Sequence, residues 1–483
     1  MENSDIKKYD LIVIGTGSGM NYVGTILETN PGFKIAVIDK DEPGGICLTR
    51  GCIPSKLLLY PAELIRTIGT AGKFGIDVEL KNIDFNYIMD RMRSIISEDI
   101  ESIRIGLSSD PNIDYYHDIA EFVSPYTMKV GAMTITSKMI FLCTGSKTII
   151  PQVKGLEEAG YLTSDTVLEM TKLPASIAII GGGYIAAEYG HFFSSMGSKV
   201  TIIGRNKQYI PEEEPEISML AKRDMSGFMD IITGHEVEEV QTTADGKKKV
   251  IARGEAEKVE FIVDEILVAS GRGPNHDILH PEKGGINTDA RGWIIVNEFL
   301  ETTRPGVWAF GDANGKYLFK HVANYESRVV FYNAIMKQKI KIDYHAVPYA
   351  VFSYPEIASV GMGEKEAIEK YGQANTLIGF WSYEDTAKGN AMDVKDYFVK
   401  IILEKSTKQI SGAHIIGPYA SILIQEIVNL MYTNEENPEP VIRGMHIHPA
   451  LSEVVQKAFY SLMPPEHYHH ILGHMGLESI TPG

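Results

Sequence analysis

The apolar positions of this chain come in short runs that end in glycine. Tyr9 to Ile14 runs into Gly15-Thr16-Gly17-Ser18-Gly19, and the segment from there to about Glu28 has helical spacing. A buried strand, a tight turn and a helix are the expected elements. A second apolar run, Lys34 to Ile38, closes on Asp39, 24 residues after Gly15. An acidic residue at the end of the second strand is where a dinucleotide fold hydrogen-bonds a ribose. The same unit recurs from Ser176: a strand to Ile180, the turn Gly181-Gly182-Gly183 followed by Tyr184, and a strand Lys199 to Ile203. Each unit has a strand-to-glycine companion downstream. Met139 to Ser146 carries Thr144, Gly145 and Ser146 at its end, and Glu265 to Arg272 carries Gly271. A further strand, Val307 to Phe310, enters Gly311-Asp312.

From about Pro348 the glycine turns stop and strand-like runs mix with helical periodicity, so this part is a separate α+β domain. The fold class is therefore α/β, with two Rossmann-like dinucleotide-binding domains followed by a C-terminal α+β domain. The expected boundaries are 1–150 with 272–345 for the first, discontinuous domain, 151–271 for the second, and 346–483 for the third.

Charge narrows the functions open to such a chain. Its 46 Lys and Arg against 63 Asp and Glu leave a net charge of −17, which repels a nucleic-acid backbone. An anionic ligand must then be held by a local device, such as a helix N-terminus or a few placed cations. No run reaches the roughly 18 apolar residues of a membrane span, and the first residues are charged, so the expected location is the cytoplasm, away from membranes.

Only three cysteines occur, too few for a secreted disulfide framework, yet Cys47 and Cys52 lie in one short segment. Five residues along an ideal helix rise about 7.5 Å, beyond the Cα separation of about 4.4–6.8 Å that a disulfide allows. Bridging them needs a loosened turn, which Gly51 can provide, ahead of a helical stretch Leu57 to Tyr60 whose first turn tolerates Pro54. A helix N-terminus would favour the thiolate and make the reduced pair reactive. Zinc ligation and two inert core thiols are the competing readings.

The run Gly44-Gly45-Ile46-Cys47-Leu48-Thr49-Arg50-Gly51-Cys52-Ile53-Pro54 resembles the redox site of the flavin-dependent pyridine nucleotide-disulfide oxidoreductases. Four other motifs occur in that family's order: the first glycine turn with Asp39, Gly181 to Glu188, Gly311-Asp312, and His448-Pro449 with Glu453. The resemblance runs from Tyr9 to about Lys457. It implies FAD in the first domain, with Gly15, Gly17, Asp39, Thr144, Gly145, Ser146 and Asp312 at the cofactor, and NADP or NAD in the second, with Gly181, Gly183, Arg205 and Gly271. It implies a redox-active Cys47–Cys52 disulfide, with Cys52 nearer the flavin and Cys47 exchanging with substrate. Lys56 and Glu188 take the place of the pair beside the flavin ring. His448, oriented by Glu453, becomes the acid-base group, donated across the two-fold axis of a homodimer that the third domain forms. Met20 fills the place of the motif's third glycine, which implies a slightly displaced helix.

The nicotinamide cofactor turns on the strand Lys199 to Ile203. It ends in Gly204 with no carboxylate to bond a ribose 2′-hydroxyl, and Arg205 and Lys207 follow, so NADPH is expected over NADH. The acidic run Glu212-Glu213-Glu214 nearby reads as a solvated loop. The active-site run through Pro54-Ser55-Lys56 is most like dihydrolipoamide dehydrogenase, which makes dihydrolipoyl oxidation the leading activity. The segment Phe319 to Asn324 and Arg205 are more like mycothione reductase, which makes an NADPH-dependent reductase of a low-molecular-weight disulfide, of the mycothione or glutathione reductase kind, the alternative. A structural subunit of a multienzyme complex is the remote one. Mercury reduction is disfavoured because no cysteine follows Cys143, itself read as a core residue. His446 reads as structural, and the run His467-Tyr468-His469-His470 with His474 as a solvated or interface helix, so no metal site is expected.

Overall fold

The computed structural model describes residues 6–477. Its first unit is a parallel sheet in the order Val307–Ala309, Ile140–Leu142, Leu11–Ile14, Ile35–Asp39, Ile113–His117. Leu11–Ile14 lies in the middle because all four of its side chains are buried, as a strand covered on both faces requires. Chain order reverses at this strand: the next strand pairs on one side and Ile140–Leu142 on the other. Such a switch point opens a crevice at the carboxyl ends of the strands. Gly15 and Cys143 stand at its two lips.

A second parallel sheet repeats the plan in the order Leu162–Thr163, Glu265–Val268, Ser176–Ile180, Lys199–Gly204, Asp230–Thr233. The third unit is a six-stranded antiparallel sheet running from Pro348–Val351 to Leu462–Met463, backed by the helices Ala420–Met431 and Ser452–Tyr460. Two Rossmann-like units and a C-terminal α+β unit are thus present. The strand segments read from the sequence are there with shifted ends. Met139 to Ser146 is broken at Cys143 to Gly145 into Ile140–Leu142 and Ser146–Thr148, because Gly145 sits at φ +66°.

The displaced helix expected from Met20 takes a definite form. Ser18–Met20 is a 3₁₀ turn and the α-helix begins only at Val23. Close packing onto the strand is supplied one residue earlier, where a Cβ on Gly19 would lie 3.0 Å from both Val13 and the Cys143 sulfur. Met20 instead packs its side chain against the sheet's core.

The acidic run corrects the reading of a solvated loop. Glu213 and Glu214 are buried, and only Glu212 is exposed. Glu214 and Glu216, at the start of helix Pro215–Met225, meet Lys400 of the antiparallel sheet at 2.5 and 2.6 Å. Glu364 reaches the same ammonium at 2.7 Å, and Glu213 accepts from Ser359 Oγ at 2.7 Å. A fully buried lysine needs anionic partners, and it draws the run inward from the second unit to the third.

Candidate active site

Gly51 lets the chain turn between two helices, Gly45–Thr49 and Cys52–Thr70. A Cβ there would lie 2.8 Å from the Ile46 carbonyl and 3.1 Å from the Cys47 Cα, so only glycine permits the approach. The result brings the Cα atoms of Cys47 and Cys52 to 4.9 Å, and the two sulfurs form a disulfide. Zinc ligation and a pair of inert thiols are thereby set aside. Cys52 opens a 19-residue helix, where the macrodipole favours a thiolate after reduction.

One turn further, Lys56 Nζ contacts both oxygens of Glu188 at 2.9 and 2.8 Å and lies 4.7 Å from the centre of the Phe352 ring. Glu188 is buried, and the Phe352 amide donates to it at 3.1 Å. The ion pair joins the disulfide helix of the first unit to the glycine-turn helix Tyr184–Met196 of the second.

Both features line one cavity of about 640 Å³, together with the first glycine turn, Asp39, Thr144, Gly145, Arg272 and Asp312. Gly15, at φ +102°, passes so close to the Cys143 carbonyl that a Cβ would lie 2.1 Å from it. Asp39 accepts from the Thr16 amide at 2.8 Å and from the Thr16 hydroxyl, and so pins the glycine turn as well as facing the cavity. Ser146 donates to Asp312, whose pKa is raised by burial, and Arg272 donates to Ser146 Oγ at 2.7 Å. A crevice lined both by a glycine turn suited to a diphosphate and by the disulfide fits FAD.

The second glycine turn is built alike. Gly181, at φ +136°, would put a Cβ 2.1 Å from the Ala269 carbonyl, and Gly183 caps the helix Tyr184–Met196. Gly182 and Gly204 touch, a Cβ on Gly204 falling 3.1 Å from the Gly182 Cα. Gly271, three residues beyond the strand Glu265–Val268, has φ +110°. Arg205 is exposed at the strand's end, while Lys207 pairs with Glu255 at 2.7 Å. The Glu212 carboxylate stands 4.0 Å from the Cβ position of Gly183, so one acid of the run does face this turn.

His448 Nδ1 meets Glu453 at 3.0 and 3.1 Å, and the Ala450 amide also bonds Glu453. The histidine contact holds the Glu453 carboxyl below its usual range. His448 is 70 % exposed and does not line the cavity of its own chain. His446 is tucked in against Glu426 at 3.0 Å. The C-terminal histidines lie on helix Pro465–His474, where His469 bonds Glu364 and the His470 and His474 Nε2 atoms are 3.1 Å apart.

Sequence reasoning missed Phe352, which reaches Glu188 from the third unit, and named Arg272 and Tyr184 only within runs. It quoted Lys320 only within a run, without a role.

A family model described as pyridine nucleotide-disulphide oxidoreductase matches residues 9–330, and the dimerisation domain of the same family matches 347–459. The chain belongs to this family. Mycothione reductase of Mycobacterium tuberculosis is 34 % identical over 95 % of the chain and 100 % of the relative. Dihydrolipoyl dehydrogenase of Chlamydia trachomatis is 33 % identical over 95 % of the chain and 98 % of the relative. Among solved structures, the HOCl-induced flavoprotein disulfide reductase RclA from Escherichia coli superposes with a TM-score of 0.82 at 27 % identity, covering 94 % of this chain and 99 % of that one. The chain is a flavoprotein disulfide oxidoreductase that uses FAD and a nicotinamide cofactor, with Cys47–Cys52 as its disulfide. No helix among the described residues is long and apolar enough to cross a membrane.

Proposed function

We propose that this enzyme draws electrons from NADPH and reduces a low-molecular-weight disulfide. The observation that carries the reading is Arg205, exposed beside Gly204 at the end of Lys199–Gly204, a strand that itself ends without a carboxylate to bond a ribose 2′-hydroxyl. Oxidation of a dihydrolipoyl group is the second reading, supported by the run through Pro54-Ser55-Lys56 and by a relative of nearly equal identity.

FAD, bound along the first crevice, supplies the two-electron relay between nicotinamide and the cysteine pair. Lys56 places a positive charge at the cavity wall and Glu188 holds it there. After reduction, the Cys47 thiolate attacks a substrate sulfur, the substrate S–S bond breaks, and one thiol leaves with a proton. Cys52 then attacks Cys47, restoring the disulfide and releasing the second thiol. His448 is the proton carrier, its Nδ1 steadied by Glu453 so that Nε2 is free to act.

His448 lies away from the disulfide of its own chain, so a second copy is inferred to bring it in, with the third domain as the dimer contact. Fully exposed Met445 and 79 % exposed Ile447 beside His448 support a covered surface. The domain division 1–150 with 272–345, 151–271 and 346–483 is part of the same reading.

Steady-state rates with NADH and NADPH, each against lipoamide and a panel of soluble disulfides, test the proposal. NADPH with a soluble disulfide is the expected pairing. Arg205→Glu should weaken NADPH selectively, because a cation facing phosphate becomes a like charge. An unchanged ratio of the two cofactors removes Arg205 from the argument.

A further inference from the structure

Five basic side chains line the large cavity: Lys40, Arg50, Lys56, Arg272 and Lys320. Most are already spoken for. Lys40 and Arg50 bond Asp41, Arg50 also meets Asp165, and Lys56 is held by Glu188. Arg272 is tied to the side chain and carbonyl of Ser146. Lys320 differs. Among the described residues it has no carboxylate within salt-bridge distance, and its one hydrogen bond runs from Nζ to Ser18 Oγ at 3.0 Å.

Ser18 belongs to the first glycine turn, and its orientation is set. It donates to Asn324 Oδ1 at 2.9 Å, so a lone pair is left for the ammonium. Asn21 ties the same turn to Asn324 and Ser327, each at 3.0 Å. Lys320 itself opens the 11-residue helix Lys320–Val330, whose N-terminus adds positive potential. The ionisable groups facing it are Cys143 and Asp312. Burial pushes the Cys143 thiol up, which keeps it neutral near pH 7, and Asp312 is engaged by Ser146. Burial lowers the Lys320 pKa, as expected of an ammonium that lacks a contacting anion.

We infer that Lys320 is the counter-ion of the FAD diphosphate, bridging the first glycine turn and the helix Lys320–Val330. In a chain of net charge −17, a local cation offsets the general repulsion of two phosphates. The role was not among the site residues read from the sequence, because Ser18 and Lys320 are 302 residues apart.

The test uses apoprotein, so it does not depend on turnover. FAD affinity is measured by quenching of flavin fluorescence, ADP is titrated as a competitor that carries the diphosphate without the flavin, and melting is followed without ligand. Lys320→Met should weaken FAD by about 10- to 100-fold, the range for a lost hydrogen bond to a charged group. ADP should weaken in parallel, and Lys320→Arg should recover most of both. The ligand-free Met variant should melt no lower than ligand-free wild type, since it sheds a half-buried charge that has no contacting anion. Unchanged FAD affinity overturns the inference. Weakened FAD with unchanged ADP assigns Lys320 to the flavin end and overturns it too, and a lower melting point without ligand makes Lys320 a prop for the turn instead. Failure of wild-type apoprotein to take up FAD would strike at the cofactor itself and is seen separately.

Discussion

Replacing Lys400 with methionine should destabilise the junction between the second and third units in a way that acid reverses. Lys400 is fully buried, with Glu214, Glu216 and Glu364 at 2.5, 2.6 and 2.7 Å from Nζ. Tyr468 donates to Glu216 at 2.7 Å, and His469 meets Glu364 at 2.7 Å. Methionine fills a similar volume, so cavity formation contributes little. What is lost is the one ammonium at contact with three buried carboxylates, and breaking a buried ion pair from one side costs about 3–5 kcal/mol. At roughly 2–4 °C per kcal/mol, the melting transition of that region should fall by about 10 °C at pH 8.

The pH dependence separates charge from packing. In the wild type, Lys400 holds the Glu214 carboxyl down at about 2 despite burial. That stabilisation is present above the unfolded pKa of about 4.3 and is lost only as pH falls toward 2, so Glu214 gives no slope between pH 8 and 5. In Lys400→Met the same carboxylates face burial without a counter-ion, and their folded pKa values rise above the unfolded one. The native variant then takes up protons as pH falls, and its stability rises from pH 8 to 5. Differential scanning calorimetry at both pH values reads the difference. A deficit of equal size at the two pH values, or no deficit, would refute the charge argument.

Cys47→Ser should still let nicotinamide reduce the flavin in stopped-flow absorbance while disulfide turnover disappears, because the thiol proposed to attack substrate is gone. His448→Gln should lower turnover by about 10²-fold or more, the range for a general acid-base group, and a wild-type rate would send the search to another base. Glu213 is buried and its pKa is raised by burial to about 7. The native state therefore holds its proton longer than the unfolded chain, so wild-type stability is lost as pH rises from about 4.5 to 7. Glu213→Gln should remove that slope and gain up to about 3 kcal/mol at pH 8, and a melting curve with the wild-type pH dependence would count against it.

What could be read from the sequence was whatever the backbone demands locally. Gly15, Gly51 and Gly181 were legible because each stands where an added Cβ would fall within 3 Å of another carbonyl, so a side chain there would force the backbone apart. Cys47, Cys52, Lys56 and Pro54 were legible together because one turn and one helix bring them into order. His448 and Glu453 lie five residues apart and find each other within one chain turn. Sequence reasoning fails where a charge finds its partner across the fold. Glu214 sits 186 residues from Lys400, and Lys320 sits 302 from Ser18.

Local reading assigns an unpaired charge to water by default, because an isolated charge is expensive to bury. For Glu212-Glu213-Glu214 that default gave a solvated loop, and it was wrong for two of the three residues because Lys400 and Ser359 arrive from the third unit. The same default left Lys320 without a role. Arg205 is the opposite case: its meaning comes from a missing side chain at Gly204, and Gly204 is small because it touches Gly182 of the second glycine turn. A carboxylate at position 204 would have to push that turn aside before it could bond a ribose. The contact that shapes the turn thus also keeps a carboxylate from the end of this strand, a local feature that can be read from the sequence, while the charge network behind it cannot.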